Sequence, residues 1–204
     1  ETIVGDVYIG TEETDIVRFF AKTAKEIQKK YPDIHYHISS GNAEYVLESL
    51  DNGLIDFGLL FGAADTQKYE SIPIPVKDTW GVLMRNDSPL AEKAAVCPED
   101  LWDKPLITSR QRGDDRYLSQ WLGKDLSRLN VVATYNLVFN ASLLVDEGLG
   151  YALCFDKLIN TQGSSLCFKP FSPALEAPAC IVWKKYQMFS KAADVFLKEL
   201  RTRF

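Results

Sequence analysis

A chain of 204 residues, 46% of them hydrophobic, is too apolar for a disordered tail and long enough to bury one large core or two smaller ones. With 28 acidic against 23 basic side chains (net −5) and no Lys/Arg run, it is a poor nucleic-acid binder by itself, since phosphate neutralisation needs clustered cations. No apolar run approaches the ~20 residues of a membrane span, and the acidic, strand-like start does not read as a signal peptide.

In chain order, strand and helix patterns alternate, as in α/β proteins with largely parallel sheets. Asp6–Gly10 reads as a short strand with Val7 and Ile9 on one face, followed by the polar loop Thr11-Glu12-Glu13-Thr14-Asp15. The next helix places Ile16, Phe20, Ala24 and Ile27 on one stripe and its lysines toward water. Pro32 ends it, because proline lacks the helical N–H and restricts its predecessor. Ile34–Ser39 is a second strand, and Gly41-Asn42 leads into a helix with Val46, Leu47 and Leu50 apolar, closed by Asn52-Gly53. Leu54–Phe61, almost wholly apolar, predicts a strand buried on both faces.

Ser71–Val76, with Pro73 and Pro75, predicts an extended connector rather than a core strand. A second series of elements then begins. Strands at Trp80–Met84, Pro105–Ser109, Val131–Thr134 and Tyr151–Phe155 alternate with helices at Pro98–Trp102, around Arg116–Leu122, and from about Phe139 to Glu147. Gly148-Leu149-Gly150 follows a helix and enters a strand, the reverse of a dinucleotide fingerprint, so it reads as a helix cap. Pro170, Pro173 and Pro178 mark another extended stretch before a strand at Cys180–Trp183 and a final helix carrying Phe189, Ala193, Phe196, Leu197 and Leu200. Two lobes joined by two extended crossings is the simplest arrangement. The last strand and helix are expected to return to the first lobe, since residues 1–70 alone make a small core.

The order of these elements resembles a known family. Val7-Tyr8-Ile9-Gly10, Tyr31-Pro32-Asp33-Ile34, Gly41-Asn42 and Asp51-Asn52-Gly53-Leu54-Ile55-Asp56 look like the first lobe of the effector-binding domain of LysR-type transcriptional regulators. Asp87-Ser88-Pro89-Leu90-Ala91, Pro98-Glu99-Asp100-Leu101, Leu144-Val145 through Gly148-Leu149-Gly150-Tyr151-Ala152, and Trp183-Lys184-Lys185 continue the likeness through the second lobe and back. Each motif is weak, but in order and at family spacing they cover nearly the whole chain. Leu153-Cys154-Phe155 departs from the pattern, where the family usually has proline.

The resemblance implies an α/β, periplasmic-binding-protein-like (type II) fold of two Rossmann-like lobes joined by two crossover strands. Residues 1–74 plus 172–204 would form lobe I and 75–171 lobe II. It further implies a small-molecule effector in the interlobe cleft, a homodimer (a tetramer in the full-length protein), cytoplasmic location, and DNA contact only through a winged helix-turn-helix preceding Glu1. Ligands of open α/β sheets sit beyond the carboxyl ends of the strands, which points to Thr11, Thr14, Ser40 and Asn42 in the first lobe and to Ser109, Arg110, Asn136 and Cys154 in the second. Gln111 lies in the same loop as Arg110. Helix starts and an arginine suit a carboxylate, whereas Glu12 and Glu13 favour an amine, so a carboxylate or amino-acid-like effector is expected. Thr11, Thr14, Ser40 and Asn42 read equally as helix caps, and Arg112 as a solvated partner of Asp114 or Asp115.

Other chemistry finds little in the sequence. Cys97, Cys154, Cys167 and Cys180 have no C-x-x-C spacing and read as reduced, mostly buried thiols. His35 and His37 share a strand face, but a third metal ligand is not identifiable. No catalytic motif and no cofactor fingerprint is present, so neither enzyme activity nor a cofactor or metal is expected. The rival reading is a free-standing periplasmic solute-binding protein for uptake, whose fold would be nearly the same.

Overall fold

The computed structural model describes the backbone of residues 2–110 and 112–204 and the side chains of all of these except 112–115. The chain divides into two compact units, Glu1–Lys77 with Pro178–Phe204, and Asp78–Ala177.

In the first unit the strands are β1 (Gly5–Thr11), β2 (Ile34–Ser40), β3 (Phe57–Phe61), the early part of β4 (Tyr69–Arg85) and most of β9 (Glu176–Lys184). β1 lies between β2 and β3, parallel to both, and β9 runs antiparallel beside β3. On one face pack α1 (Arg18–Lys30) and α6 (Lys191–Arg201). The alternation of β1 sends Val7 and Ile9 to that face, where Phe20, Ile27, Phe57, Ile181 and Phe196 meet them. Phe57 is the centre, its ring 5.2 Å from Phe189, 5.3 Å from Phe196 and 6.3 Å from Trp183. The α1 stripe includes buried Thr23 rather than Ala24, since the Thr23 hydroxyl donates to the Phe19 carbonyl at 2.7 Å and needs no water.

The opposite face carries α2 (Ala43–Asp51), through Val46 and Leu50 against Ile55, Leu60 and Val182. This helix approaches closely because β3 has glycine beneath it. A Cβ on Gly58 would lie 2.5 Å from Val46 Cγ1. After α2 the Gly53 N–H donates to Leu50 and the Leu54 N–H to Ser49, with Gly53 at φ +69°, a left-handed helix stop. That stop corrects the expected strand from Leu54: Leu54 belongs to the cap and is exposed, and β3 begins only at Phe57.

The second unit holds the rest of β4, β5 (Leu106–Ser109), β6 (Val131–Tyr135), β7 (Tyr151–Phe155) and β8 (Leu166–Pro170), in the order β8-β4-β7-β5-β6. β5 is parallel to β6 and β7, while β4 is antiparallel to β7 and β8, so the sheets are mixed rather than largely parallel. α3 (Pro98–Leu101) and α4 (Arg112–Leu122) cover Trp80, Val82, Met84, Leu106 and Leu153; α5 (Val138–Asp146) covers Leu83, Ile107, Ala152 and Cys154. α5 ends as expected at Gly148, φ +83°, with Leu149 N–H donating to Leu144 at 2.9 Å.

Ser71–Val76 is not a mere connector. β4 is one strand of 17 residues running straight through Pro73 and Pro75, with Tyr69 and Ile74 buried. β9 likewise begins at Glu176 and passes through Pro178. These three prolines are exposed, and proline within a strand is tolerated where no ladder N–H is required. Among the described residues no helix is long and apolar enough to cross a membrane.

Tyr69 ties the start of β4 to the end of α2: its hydroxyl donates to Asp51 Oδ1 at 2.6 Å. Burial pushes this phenol up to about 12, and the bond to the Asp51 carboxylate adds to the rise. A raised pKa means the stabilisation is complete below the ordinary tyrosine value near 10 and is lost as pH climbs through about 12. In urea titrations at increasing alkaline pH, the stability difference between the native chain and Tyr69→Phe is therefore expected to shrink across that window.

Candidate functional site

In the first unit the carboxyl ends of β1 and β2 are locked side by side. Thr11 stands opposite Ser40 in the parallel register, and the Gly41 N–H donates to the Thr11 carbonyl at 3.0 Å. Thr11 is buried, its hydroxyl donating to the Glu12 carbonyl at 2.7 Å. Thr14 caps the 3-10 turn Asp15–Val17, accepting from the Ile16 N–H at 3.0 Å, and Asn42 caps α2, accepting from the Tyr45 N–H at 2.8 Å. Ser40 is exposed. The four first-unit residues named from sequence thus gather at one end of one sheet, and two of them are helix caps in fact. Each cap satisfies one N–H of its first turn, where a helix presents several donors and a positive dipole end. Glu12 is buried and Glu13 half-buried, so Glu12 is withdrawn from the surface of this loop.

In the second unit the same logic applies to β5 and β6. Ser109 stands opposite Tyr135, and the Arg110 N–H donates to the Tyr135 carbonyl at 2.9 Å. Tyr135 in turn donates its hydroxyl to the Leu153 carbonyl at 2.7 Å, pinning the end of β6 to β7. The Arg110 Nε–H donates to Thr134 Oγ1 at 3.2 Å, which turns the guanidinium toward the α4 side of the sheet. There Ser109, Arg110 and Thr134 join Arg116 and Ser119 of α4 and Asp125 around an open depression of about 890 Å³. Neither arginine has an ion-pair partner among the described residues. Asp125 accepts from the Ser127 N–H at 2.9 Å; hydrogen bonds from Ser127 hold its carboxyl below the usual carboxylate range, with Arg128 adding to the effect.

The other two residues named for this unit do not line the depression. Asn136 is exposed just beyond β6, and Cys154 is buried at 3% exposure among Leu83, Ile107 and Val145. Gln111 and the pairing expected of Arg112 lie outside the described residues. Sequence reading passed over Arg116, Ser119, Thr134 and Asp125. The available signal was local: Arg116 and Ser119 are three apart on a helix, and Thr108 and Arg110 alternate onto one strand face.

The four cysteines are free thiols, two buried and two half-buried, and burial pushes the Cys167 and Cys180 thiols up. His37 meets Asp6 Oδ1 at 2.8 Å and stacks on Tyr8 at 4.7 Å. Among the described residues no three His, Cys, Asp or Glu side chains stand together as a metal site would need.

With this geometry in place, comparison with known proteins is direct. Residues 2–204 match the LysR substrate binding domain. The chain belongs to that family, and its α/β architecture is the periplasmic-binding-protein-like type II fold. It is 27% identical over 150 residues to the HTH-type transcriptional regulator YvbU of Bacillus subtilis (strain 168), covering 74% of this chain and 50% of that protein. It is 22% identical to the HTH-type regulator YfeR of Shigella flexneri, covering 98% of this chain and 66% of the relative. This chain therefore spans about half to two thirds of the length of these relatives. Among solved structures, the effector binding domain of QuiR in complex with shikimate superposes with a TM-score of 0.83 at 15% identity, over 98% of this chain and 97% of that one. HinK, a LysR family regulator from Pseudomonas aeruginosa, superposes at 0.80 with 18% identity, over 100% of this chain and 71% of that one.

Asn42→Ala is expected to cost about 1 kcal/mol in urea unfolding by freeing the Tyr45 N–H, while Asn42→Asp, which keeps the acceptor, stays within a few tenths of native. Equal losses in both variants would remove the capping role.

Proposed function

We propose that this domain is the effector-sensing part of a DNA-binding transcription regulator. Membership of residues 2–204 in the LysR substrate binding domain family carries the reading. The candidate effector contacts are the strand-end loops of each unit: Thr11, Thr14, Ser40 and Asn42 in the first, and Ser109, Arg110 and Asn136 in the second. Cys154, buried in the core under α5, is not among these contacts. A ligand moves such a domain only through unequal affinity for two conformations. The rest of the regulator, including its DNA-contacting segment, belongs to the length of the relatives that this chain does not span, in keeping with the net charge of −5 here. We place the protein in the cytoplasm and assign it no catalysis, in line with relatives named as transcriptional regulators. The periplasmic uptake alternative has no support from those relatives.

Self-association fits one surface of the second unit. Phe139 and Leu143, one turn apart on α5, are 62% and 50% exposed, and Leu137 at the start of the same helix is also exposed. Apolar side chains so grouped mark an interaction face, and the family resemblance points to a second copy of the chain as the occupant.

Two measurements test this reading. A thermal-shift screen of small carboxylates and amino acids is expected to yield a stabilising compound, worth about 2.7 kcal/mol at a hundredfold excess over Kd, that is recovered unchanged; turnover of the compound would make the domain an enzyme instead. Light scattering is expected to give a dimer that Phe139→Glu converts to a folded monomer, and a native monomer at micromolar concentration would remove the dimer.

A further inference from the structure

We infer that the depression between α4 and β6 is an anion-binding site for a small organic carboxylate that also bears a hydroxyl or ammonium donor. The site lies wholly within the second unit and needs none of Thr11, Thr14, Ser40 or Asn42; it deepens the effector reading above, resting on it for Ser109 and Arg110 and adding Arg116, Ser119 and Asp125.

Three observations converge. First, Arg110 and Arg116 both border the depression, and neither is neutralised by a carboxylate among the described residues. Guanidinium groups left without a carboxylate offer a planar fork that matches a carboxylate in two parallel hydrogen bonds. Second, Arg110 is oriented rather than free. Its backbone N–H is fixed to Tyr135 and its Nε–H to Thr134 Oγ1, and its terminal nitrogens make no hydrogen bond to the described residues. Holding the fork in place reduces the rotamer entropy lost on binding.

Third, the depression has a second polar end of opposite sign. Asp125 lines it and is kept ionised by Ser127, while Ser119 Oγ already accepts from the Leu126 N–H at 3.1 Å and so has its own proton to donate. An inorganic oxyanion meets the arginines but is repelled at the Asp125 end. A hydroxy acid or amino acid satisfies both ends, with its carboxylate on Arg110 and Arg116 and its hydroxyl or ammonium on Asp125. A volume of about 890 Å³ exceeds what a bare ion fills and lies within the range of small-molecule sites. Both arginines are exposed, so the attraction is screened by salt and the affinity is modest.

The test is calorimetric titration of the native chain at low ionic strength with malate and, separately, with inorganic phosphate. Malate is expected to bind more tightly than phosphate. Arg110→Gln and Arg116→Gln are each expected to weaken malate about tenfold or more, and Arg110→Lys to weaken it as well, because an ammonium cannot form the fork. Asp125→Asn is expected to narrow the gap between malate and phosphate. Circular dichroism checks that these surface variants stay folded. The proposal is overturned if neither anion binds, or if malate binds the Arg110→Gln, Arg116→Gln double variant with native affinity. Loss of malate binding in Asn42→Ala, with both arginine variants unaffected, overturns it too by moving the anion to the first unit. An effector recovered from the screen above that binds the double variant normally overturns this site together with the Arg110 contact, while the sensing role of the domain stands on the screen itself.

Discussion

Parallel pairing of neighbouring strands is the constraint from which the chemistry of this domain follows. Where β1 and β2 run in one direction, both chain exits fall at the same edge, and register places Thr11 beside Ser40. β5 and β6 repeat the arrangement with Ser109 beside Tyr135. Each exit leads toward a helix start, so hydroxyls, a capping amide and an arginine collect at two edges without any of them having to be near the others in sequence. The two backbone bonds that cross between these exits, from Gly41 to Thr11 and from Arg110 to Tyr135, fix the loops to their sheets.

The helices and most strands were legible in the sequence because burial has the periodicity of the element that carries it. Phe20 and Ile27 of α1, with Ile16 in the 3-10 turn before it, and the α6 stripe of Ala193, Phe196, Leu197 and Leu200 face the core as read. Glycine stops were legible for the same local reason, since positive φ needs no tertiary context at Gly53 or Gly148. The misreadings came where local preference and global pairing disagreed. Pro73 and Pro75 suggest an extended connector in isolation, and the segment is extended, yet as part of a long strand that tolerates proline at exposed positions. Leu54 looks like the first residue of an apolar strand, yet it completes a helix stop and stays in water.

For the site, strand-end reasoning named the loops after β1, β2 and β5 but not the direction of each side chain. Arg110 was named, but its turn toward α4 depends on a hydroxyl 24 residues away at Thr134, and no sequence window contains both. Arg116 and Ser119 entered only once α4 was laid over the edge of the sheet. Cys154 shows the converse. Its position near the end of β7 is correct, yet strand alternation sends it under α5.

The hydrogen atom that serves as the side chain of Gly58 has a reach well beyond β3. Val46 rests almost on the backbone there, and a β-branched side chain has little freedom to swing aside. The depth at which α2 beds into the sheet is thus gauged at its middle by an atom that is not there. Because Asn42 begins that same helix, the height of the first loop above the strand ends is set from underneath, and a single methyl group added at position 58 would tilt the rim while leaving every residue of the loop unchanged.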